Sequence, residues 1–264
     1  MERHRPRKSL GQHFLHDPGI IARIVAAIAP QPDDRVVEIG PGLGALTRPL
    51  LARLRHLHVV ELDRDLAARW RAEAAAGLPI TVHEADALGF DFESLGPDLR
   101  VVGNLPYNIS TPLLFHLADA AARIRDMHLM LQREVVERMA ATPGTPAYGR
   151  LSVMLQARFQ VQKLFNVPPG CFRPPPKVDS AVVRLLPLPA AAIPYRDARR
   201  FAELVARAFG QRRKTLRNTL KGMIDAATFA ALGIDPGRRG ETLSVAEFAA
   251  LADHSASVPP QSPD

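Results

Sequence analysis

An apolar run that passes directly into a glycine-rich turn constrains the fold of this chain more than any other stretch. Residues 35–39 read Arg-Val-Val-Glu-Ile, and β-branched side chains of this kind are typical of a buried strand. Gly40, Gly42 and Gly44 follow immediately, and a helical pattern continues through Leu54. Glycine lets the backbone turn sharply into the helix and pass close to a ligand. The stretch therefore predicts the first strand, turn and helix of a nucleotide-binding α/β unit.

The spacing of these glycines and the acidic residues near them narrow the class of ligand. The pattern G-x-G-x-G is tighter than the dinucleotide fingerprint G-x-G-x-x-G, which argues against NAD. Glu61 ends a second strand-like run about twenty residues after the first glycine, where a carboxylate can bind ribose hydroxyls and repels a 2′-phosphate. Glu38 lies inside the first strand, so we expect it to have a partner such as a ligand amine or a backbone N–H.

Two further predicted strands also end in polar residues. Residues 80–84 lead to Asp86, which can accept a hydrogen bond from an exocyclic adenine amine, and residues 99–103 lead to Asn104. The carboxyl ends of parallel strands meet at one edge of an open α/β sheet, and ligands bind just outside that edge. Several glycine-rich or polar strand ends in series therefore predict a ligand site at this edge.

The turn that begins at Asn104 suits a planar, amino-bearing ring. The Asn104 side-chain carbonyl and the Leu105 main-chain carbonyl are two acceptors for an N–H. Pro106 fixes its own backbone and favours an extended conformation at Leu105. Tyr107 offers a flat face on which a base can stack. On these four residues alone, an Asn-Pro turn with a half-buried tyrosine is an equally good interpretation.

Composition shifts along the chain predict its domain organisation. A proline-dense loop at residues 168–177 presents Phe172 and is interpreted as one wall of a substrate pocket, with a mere connector as the alternative. After residues 187–194, which read as a linker, the pattern is purely helical. The predicted parts are a basic arm at residues 1–9, a sheet-bearing domain at 10–187, a helical domain at 188–254 and a disordered tail at 255–264.

Positive charge is concentrated in the helical domain. The formal net charge of the chain is +7, and residues 196–221 hold nine Arg and Lys against two acidic residues. A helix ending at Gly210 and a second helix beginning with Arg212 would place cations at a corner that suits phosphate groups. A solvated basic face is the alternative. The candidates for contact with nucleic acid are Arg207, Arg212, Arg213, Lys214 and Arg217.

Other features of the sequence exclude several classes of protein. The single cysteine, Cys171, excludes an internal disulfide and a cysteine-rich metal site, and it fits a reducing compartment. No apolar run approaches the ~18 residues of a membrane span. The charged start of the chain is not followed by the apolar segment of a secretory signal. We therefore expect a cytoplasmic protein without a membrane partner.

Together the motifs resemble the S-adenosylmethionine-dependent ribosomal RNA adenine N6-dimethyltransferases, specifically the small-subunit branch, over roughly residues 7 to 250. Of these motifs, N-L-P-Y combined with F-x-P-x-P-x-V-x-S is far more specific than the glycine turn. The motifs occupy residues 11–15 (GQHFL), 38–44 (EIGPGLG), 61–63 (ELD), 86–87 (DA), 104–110 (NLPYNIS), 172–180 (FRPPPKVDS) and 209–218 (FGQRRKTLRN).

The resemblance implies a Rossmann-like, seven-stranded methyltransferase sheet of the α/β class with a small C-terminal all-helical domain that binds RNA. It implies a cofactor, S-adenosylmethionine, and no metal. The family usually has Asn at the position of His13, so this chain departs from the family pattern there. The residues that would contact the cofactor are His13, Leu15, Gly40, Gly42, Glu61, Asp86, Ala87 and Asn104.

The resemblance also implies the chemistry and the partner. Asn104 and Leu105 would accept hydrogen bonds from adenine N6, Tyr107 would stack on the base, and Phe172 would form a second wall. The implied substrate is two adjacent adenosines of ribosomal RNA in an immature small subunit, with the protein acting as a monomer in ribosome maturation. The alternatives are a large-subunit dimethyltransferase that confers antibiotic resistance, an adenine DNA methyltransferase, a non-catalytic assembly factor and, least favoured, an NAD oxidoreductase.

Overall fold

A computed structural model describes residues 6–7, 10–211 and 213–255. The chain divides into two compact units, one formed by Met1–Val136 with Gln160–Pro187 and the other by Glu137–Phe159 with Leu188–Asp264. The first unit contains the sheet, and the second is helical.

The strands in chain order are β1 (Phe14–Leu15), β2 (Val36–Ile39), β3 (Leu57–Glu61), β4 (Ile80–Glu84), β5 (Leu99–Asn104), β6 (Ile124–Gln132), β7 (Phe159–Val167), β8 (Phe172–Arg173) and β9 (Ser180–Pro187). The α-helices are α1 (Pro18–Ile28), α2 (Thr47–Leu51), α3 (Arg64–Ala75), α4 (Ser110–Asp119), α5 (Arg133–Met139), α6 (Arg150–Gln156), α7 (Ala198–Gly210), α8 (Leu216–Thr219), α9 (Ala226–Ala231) and α10 (Val245–Ser255).

Seven strands form one sheet in the order β4-β3-β2-β5-β6-β9-β7. β4, β3, β2, β5 and β6 run parallel, and β9 pairs antiparallel with β6. The strand order reverses between β2 and β5, and a doubly wound sheet forms its ligand crevice at such a point. The predicted α/β class with a seven-stranded, Rossmann-like sheet is confirmed.

A small second sheet holds residues 14–15, which precede α1, against residues 172–173. Asp17 caps α1 by accepting a hydrogen bond from the Ile20 N–H at 2.8 Å, so the chain enters this helix in a defined direction. β1 pairs antiparallel with β8, with Leu15 opposite Phe172. The pairing joins the Gly-Gln-His-Phe-Leu segment to the proline-dense loop, a contact that the sequence did not predict.

A buried ion-pair network holds the opposite, amino-terminal edge of the sheet. The Arg100 guanidinium donates to Asp126 at 2.9 and 2.7 Å, to Asp34 at 2.6 Å and to the Ile28 carbonyl at 2.6 Å. Burial alone would raise the pKa of Asp34. The Gln31 N–H and the guanidinium groups of Arg100 and Arg125 outweigh burial and hold that pKa below its usual range.

The second unit has an apolar core of its own. Its largest buried side chains include Tyr148 from the segment before α6, Phe201 from α7 and Phe248 from α10. Residues 137–159 thus pack with the C-terminal helices, whereas the sequence pattern predicted them in the sheet-bearing domain. The reason is the apolar face of α6, with Val153 in the same core cluster as Phe201.

The structure also corrects the helix predicted to begin with Arg212. The chain forms turns after α7, and α8 begins only at Leu216, with Thr215 as its first flanking residue. Arg213 and Lys214 therefore lie in a turn rather than in a helix. Cations in the first turn of a helix interact unfavourably with the helix dipole, and Arg213 and Lys214 avoid this interaction because they precede α8.

Candidate active site

An open cavity lies at the carboxyl edge of the parallel strands. The ends of β2, β3, β4 and β5 line it, and residues 10–15 form a further wall. Ten of the eleven predicted cofactor-binding and catalytic residues line this cavity: His13, Leu15, Gly40, Gly42, Glu61, Asp86, Ala87, Asn104, Leu105 and Tyr107.

The glycine turn brings backbone, rather than side chains, to the cavity wall. Gly40 and Gly42 have φ values of +68° and +53°, a region that side chains other than glycine rarely adopt. A Cβ on Gly42 would also lie 3.0 Å from the Phe14 ring. The Trp70 indole N–H donates to the Gly42 carbonyl at 3.1 Å and fixes the turn from behind.

The Glu61 carboxylate lies at the end of β3 and is held in place by the backbone. One oxygen accepts from the Asp63 N–H at 2.9 Å and the other from the Gly42 N–H at 3.2 Å. Burial raises the pKa of Glu61, although these N–H groups act in the opposite direction. The Asp63 carboxylate in turn accepts from the Gln12 amide at 3.0 Å, so Glu61 is connected through Asp63 to the segment of residues 10–15.

Glu38 is a second carboxyl group in the cavity wall, and it is 2% exposed. Burial raises the pKa of Glu38 to about 8; the Thr47 hydroxyl, which donates at 2.7 Å, lowers it, and the nearby Glu61 raises it. In the ligand-free protein the group is therefore largely a neutral acid at pH 7.

We expect Glu38→Gln to stabilise the ligand-free protein at alkaline pH. The folded-state pKa lies above the ordinary value of 4.5, so the stabilising effect of the bound proton is complete below that value and is lost as pH rises through about 8. Glutamine mimics the neutral acid, so the free energy of unfolding at pH 8 should rise by about 1–3 kcal/mol, with little change at pH 5.

Urea unfolding at both pH values measures the Glu38 effect. Glu93→Gln, which alters an exposed carboxylate, is the matched control. Equal stability of wild type and Glu38→Gln at pH 8 would contradict the assignment of a protonated Glu38.

The turn at residues 104–107 is pinned at each of its four positions. The Asn104 amide nitrogen donates to the His13 carbonyl at 2.9 Å, and the Leu105 N–H donates to the Met130 carbonyl at 3.0 Å. The Pro106 carbonyl accepts from the Ser110 hydroxyl at 3.0 Å. Because the Asn104 nitrogen is committed to His13, the side-chain oxygen is its acceptor end at the cavity wall.

Tyr107 is fixed by a residue of the second specific motif. Its hydroxyl and the Ser180 hydroxyl share a hydrogen bond of 2.7 Å, and Ser180 is fully buried at the start of β9. Burial raises the pKa of the Tyr107 phenol, so the group is neutral at physiological pH. Sequence reasoning included Ser180 in a motif but gave it no role. Its polar side chain at the start of a mostly apolar strand was the available signal.

Phe172 lies in the apolar core rather than in the cavity lining. It is 2% exposed, packs in the core cluster with Leu15, and is not among the residues that line the cavity. β8 turns this ring inward because Phe172 pairs with Leu15 of β1. A role for Phe172 as a wall of the base pocket stays a prediction.

Four of the five predicted RNA contacts lie in the described part of the second unit. Arg207 projects from α7 and pairs with Glu203 at 3.3 Å, and Arg213, Lys214 and Arg217 are exposed. Arg212 lies outside the described residues, as do most of the predicted basic arm and residues 256–264 of the predicted tail.

Across residues 6–7, 10–211 and 213–255, no three His, Cys, Asp or Glu side chains form a group that could hold a metal ion. In the same ranges, no helix combines the length and the apolar character needed to cross a membrane.

The strand order and the cavity at its switch point define a Rossmann-like α/β domain that binds its ligand at this edge. The family model described as "Ribosomal RNA adenine dimethylase" matches residues 3–256. The chain belongs to this family of enzymes.

Curated relatives match almost the whole chain. A protein named "Ribosomal RNA small subunit methyltransferase A" from Aromatoleum aromaticum is 61% identical over 99% of this chain and 98% of its own length. A relative of the same name from Thiobacillus denitrificans is 62% identical over 96% of this chain and 99% of its own length.

Solved structures agree with the family assignment. A dimethyladenosine transferase from Plasmodium falciparum superposes with a TM-score of 0.79 at 27% identity, over 90% of this chain and 96% of its own. The 23S rRNA methyltransferase ErmE superposes with a TM-score of 0.69 at 27% identity, over 92% of this chain and 100% of its own.

Proposed function

We propose that this protein transfers methyl groups from S-adenosylmethionine to the N6 amines of adenosines in small-subunit ribosomal RNA, and that each target adenosine receives two. The observation that carries the proposal is the Asn104 side chain. Its nitrogen is held by the His13 carbonyl at 2.9 Å, which leaves its oxygen as the acceptor at the end of β5.

The cavity fits the proposed cofactor in the chemistry of its donors and acceptors. Glu61 supplies a carboxylate for the ribose hydroxyls, and the exposed Asp86 supplies one for the adenine amine. Asp86 uses one oxygen to accept from the Leu88 N–H at 2.9 Å, so its second oxygen can accept from a ligand. Gly40 and Gly42 bring backbone close to the methionine part, and Glu38 lies beside them as a partner for its amino group.

When bound, S-adenosylmethionine supplies an electrophilic methyl group. The residues of this chain act on the acceptor, because adenine N6 is a poor nucleophile whose lone pair is delocalised into the ring. Asn104 and the Leu105 carbonyl accept hydrogen bonds from N6–H, which favours a pyramidal nitrogen with a localised lone pair. The pinned turn holds these acceptors in advance, so positioning supplies much of the rate.

Stacking and space complete the acceptor site. Tyr107, held by Ser180, presents its ring to an extruded base. A second methyl transfer requires that the same site accept N6-methyladenine. The product of the first reaction still carries one N6–H, so one of the two acceptors retains its partner.

The names of the relatives support the small subunit as the source of the RNA. Relatives at about 60% identity carry a small-subunit name, whereas the 23S enzyme is 27% identical. We propose an immature small subunit as the substrate and a monomeric, cytoplasmic enzyme. A large-subunit enzyme, a DNA methyltransferase and an assembly factor without catalysis are the alternatives.

Labelled S-adenosylmethionine with three nucleic acids separates these alternatives. The purified protein is incubated with immature small subunits, with large-subunit RNA and with DNA. The proposal expects label in small-subunit RNA alone. Label in large-subunit RNA or in DNA would favour the corresponding alternative, and no label in any of them would favour an assembly factor.

We expect Glu61→Ala to weaken cofactor binding and leave RNA affinity unchanged. The loss of charge-assisted bonds to the ribose should raise the dissociation constant by about 10–100-fold, as measured by calorimetric titration of S-adenosylmethionine. Glu84→Ala is the matched control, because Glu84 pairs with Glu61 in register but does not line the cavity. An unchanged cofactor affinity of Glu61→Ala would contradict the ribose assignment.

We also expect the exposed cations of the second unit to contact the RNA backbone. Changing Arg213, Lys214 and Arg217 together to Gln should weaken binding to the subunit. It should also reduce the slope of the logarithm of the binding constant against the logarithm of the salt concentration, by roughly 0.7–0.9 for each phosphate that the protein no longer neutralises. Cofactor affinity should not change, because these residues lie in the other unit from the cavity.

A second triple variant controls for the removal of three charges. Arg53, Arg55 and Arg123 are exposed, and the last two lie just before the amino ends of strands, away from the cavity edge. Changing these three to Gln should leave the salt slope nearly as in wild type. Equal slopes for both triple variants would show that the cations of the second unit are only a solvated face.

A further inference from the structure

His13 lies at the meeting point of three parts of the site. Its main-chain carbonyl accepts from the Asn104 amide at 2.9 Å. Its Nδ1 lies 2.8 Å from the Pro174 carbonyl in the proline-dense loop. Its ring stacks on Tyr107, with ring centroids 5.7 Å apart and planes inclined by 25°. One residue thus contacts the N6 acceptor, the stacking ring and the loop.

The hydrogen bond to Pro174 fixes the orientation of the imidazole. A carbonyl oxygen only accepts, so Nδ1 carries the hydrogen. The bond holds the ring from the side of the loop. The pairing of β1 with β8 holds the two backbones directly next to this contact, because Phe14 lies opposite Arg173. The imidazole is therefore a fixed surface rather than a freely rotating side chain.

Tyr107 is held at two points as a result. The hydroxyl shares a hydrogen bond with Ser180 at 2.7 Å, and the ring lies against His13. The Ser180 contact restrains the tip of the side chain, and His13 restrains the plane of the ring. A base that stacks on Tyr107 requires that plane to be fixed, since a displacement of about 1 Å at a reacting centre can cost ~10² in rate.

We propose that His13 is a positioning residue, whose ring braces Tyr107 so that a stacked adenine presents N6 to Asn104. This inference rests on the proposed function and goes beyond a contact between His13 and the cofactor. Two properties of the His13 side chain can be tested separately, the hydrogen-bond donor to Pro174 and the ring that contacts Tyr107. An Asn at this position could donate to Pro174 but would offer no ring to Tyr107, whereas a Phe would offer the ring without the donor.

Three substitutions test the brace, with kcat, KM for the RNA and cofactor affinity as readouts. His13→Ala and His13→Asn should each lower kcat by about 10–100-fold with cofactor affinity within about threefold of wild type. His13→Phe should restore kcat to within about fivefold of wild type, because it keeps an aromatic face against Tyr107. His16→Ala is the matched control, since His16 is exposed on the same segment and should leave kcat unchanged.

Several results would overturn the inference. A kcat of His13→Ala close to wild type would show that Tyr107 needs no brace. A fall in cofactor affinity that matches the fall in activity would make His13 a cofactor contact instead. A His13→Phe variant no better than His13→Ala would show that the ring is not the active feature. Failure of the proposed function is distinguishable, because the wild-type protein would then transfer no methyl group to RNA.

Discussion

Asn104→Ala is expected to lower methyl transfer by about 10²–10³-fold, the usual cost of removing one preorganised electrostatic contact from a transition state. The substitution removes the side-chain acceptor for N6–H and also the donor to His13. The fold should persist, because Asn104 ends β5 and its side chain is only partly buried. Single-turnover transfer to small-subunit RNA, with saturating cofactor, measures the effect on chemistry.

Two comparisons make this result specific to the N6 acceptor. Asn166→Ala changes an exposed Asn on β7 and should retain full activity. Thermal unfolding of Asn104→Ala should resemble that of wild type. Wild-type turnover by the purified Asn104→Ala variant would remove Asn104 from the mechanism.

Arg100→Met is expected to destabilise the protein by about 3–5 kcal/mol, because it leaves buried carboxylates without their counter-charge. The Arg100 side chain is 8% exposed, and those of Asp34 and Asp126 are 6% and 4% exposed. Arg125 would still pair with Asp34, but Asp126 would lose both of its bonds from Arg100. Urea unfolding at pH 7 measures the change.

An exposed arginine provides the control for the buried network. Arg64 is 87% exposed and lies 3.7 Å from Glu84, so Arg64→Met should cost less than about 1 kcal/mol. At acid pH the difference between Arg100→Met and wild type should shrink, because Asp34, whose pKa lies below its usual range in the folded protein, no longer needs the guanidinium once it is protonated. Equal stability of the two variants at pH 7 would contradict a stabilising role for the network.

Local patterns were enough to predict the parallel part of the sheet. Short β-branched runs end in Glu61, Asp86 and Asn104, and parallel strands bring such ends to one edge. The pair Asp17-Pro18 is likewise a local signal for a helix start, and α1 begins there. These features depend on neighbours in the sequence, so they can be found without knowledge of the tertiary structure.

Features that depend on distant pairing were not predictable in this way. The antiparallel contact of β1 with β8 joins residues about 160 positions apart, and it decides both the burial of Phe172 and the place of His13. The packing of residues 137–159 with the C-terminal helices depends on which core their apolar face meets. The late start of α8 at Leu216 was also not predictable, because Arg213 and Lys214 lie in a turn although neither is a typical turn residue.

Nucleoside analysis of the reaction product tests the central claim most directly. Immature small subunits are incubated with the protein and S-adenosylmethionine, and the RNA is digested and analysed by mass spectrometry. The proposed function predicts that N6-methyladenosine forms first and is converted into N6,N6-dimethyladenosine, and that Asn104→Ala forms both about 10²–10³-fold more slowly. A methyl group on any other atom of the RNA, or dimethyladenosine formed equally well by Asn104→Ala, would contradict it.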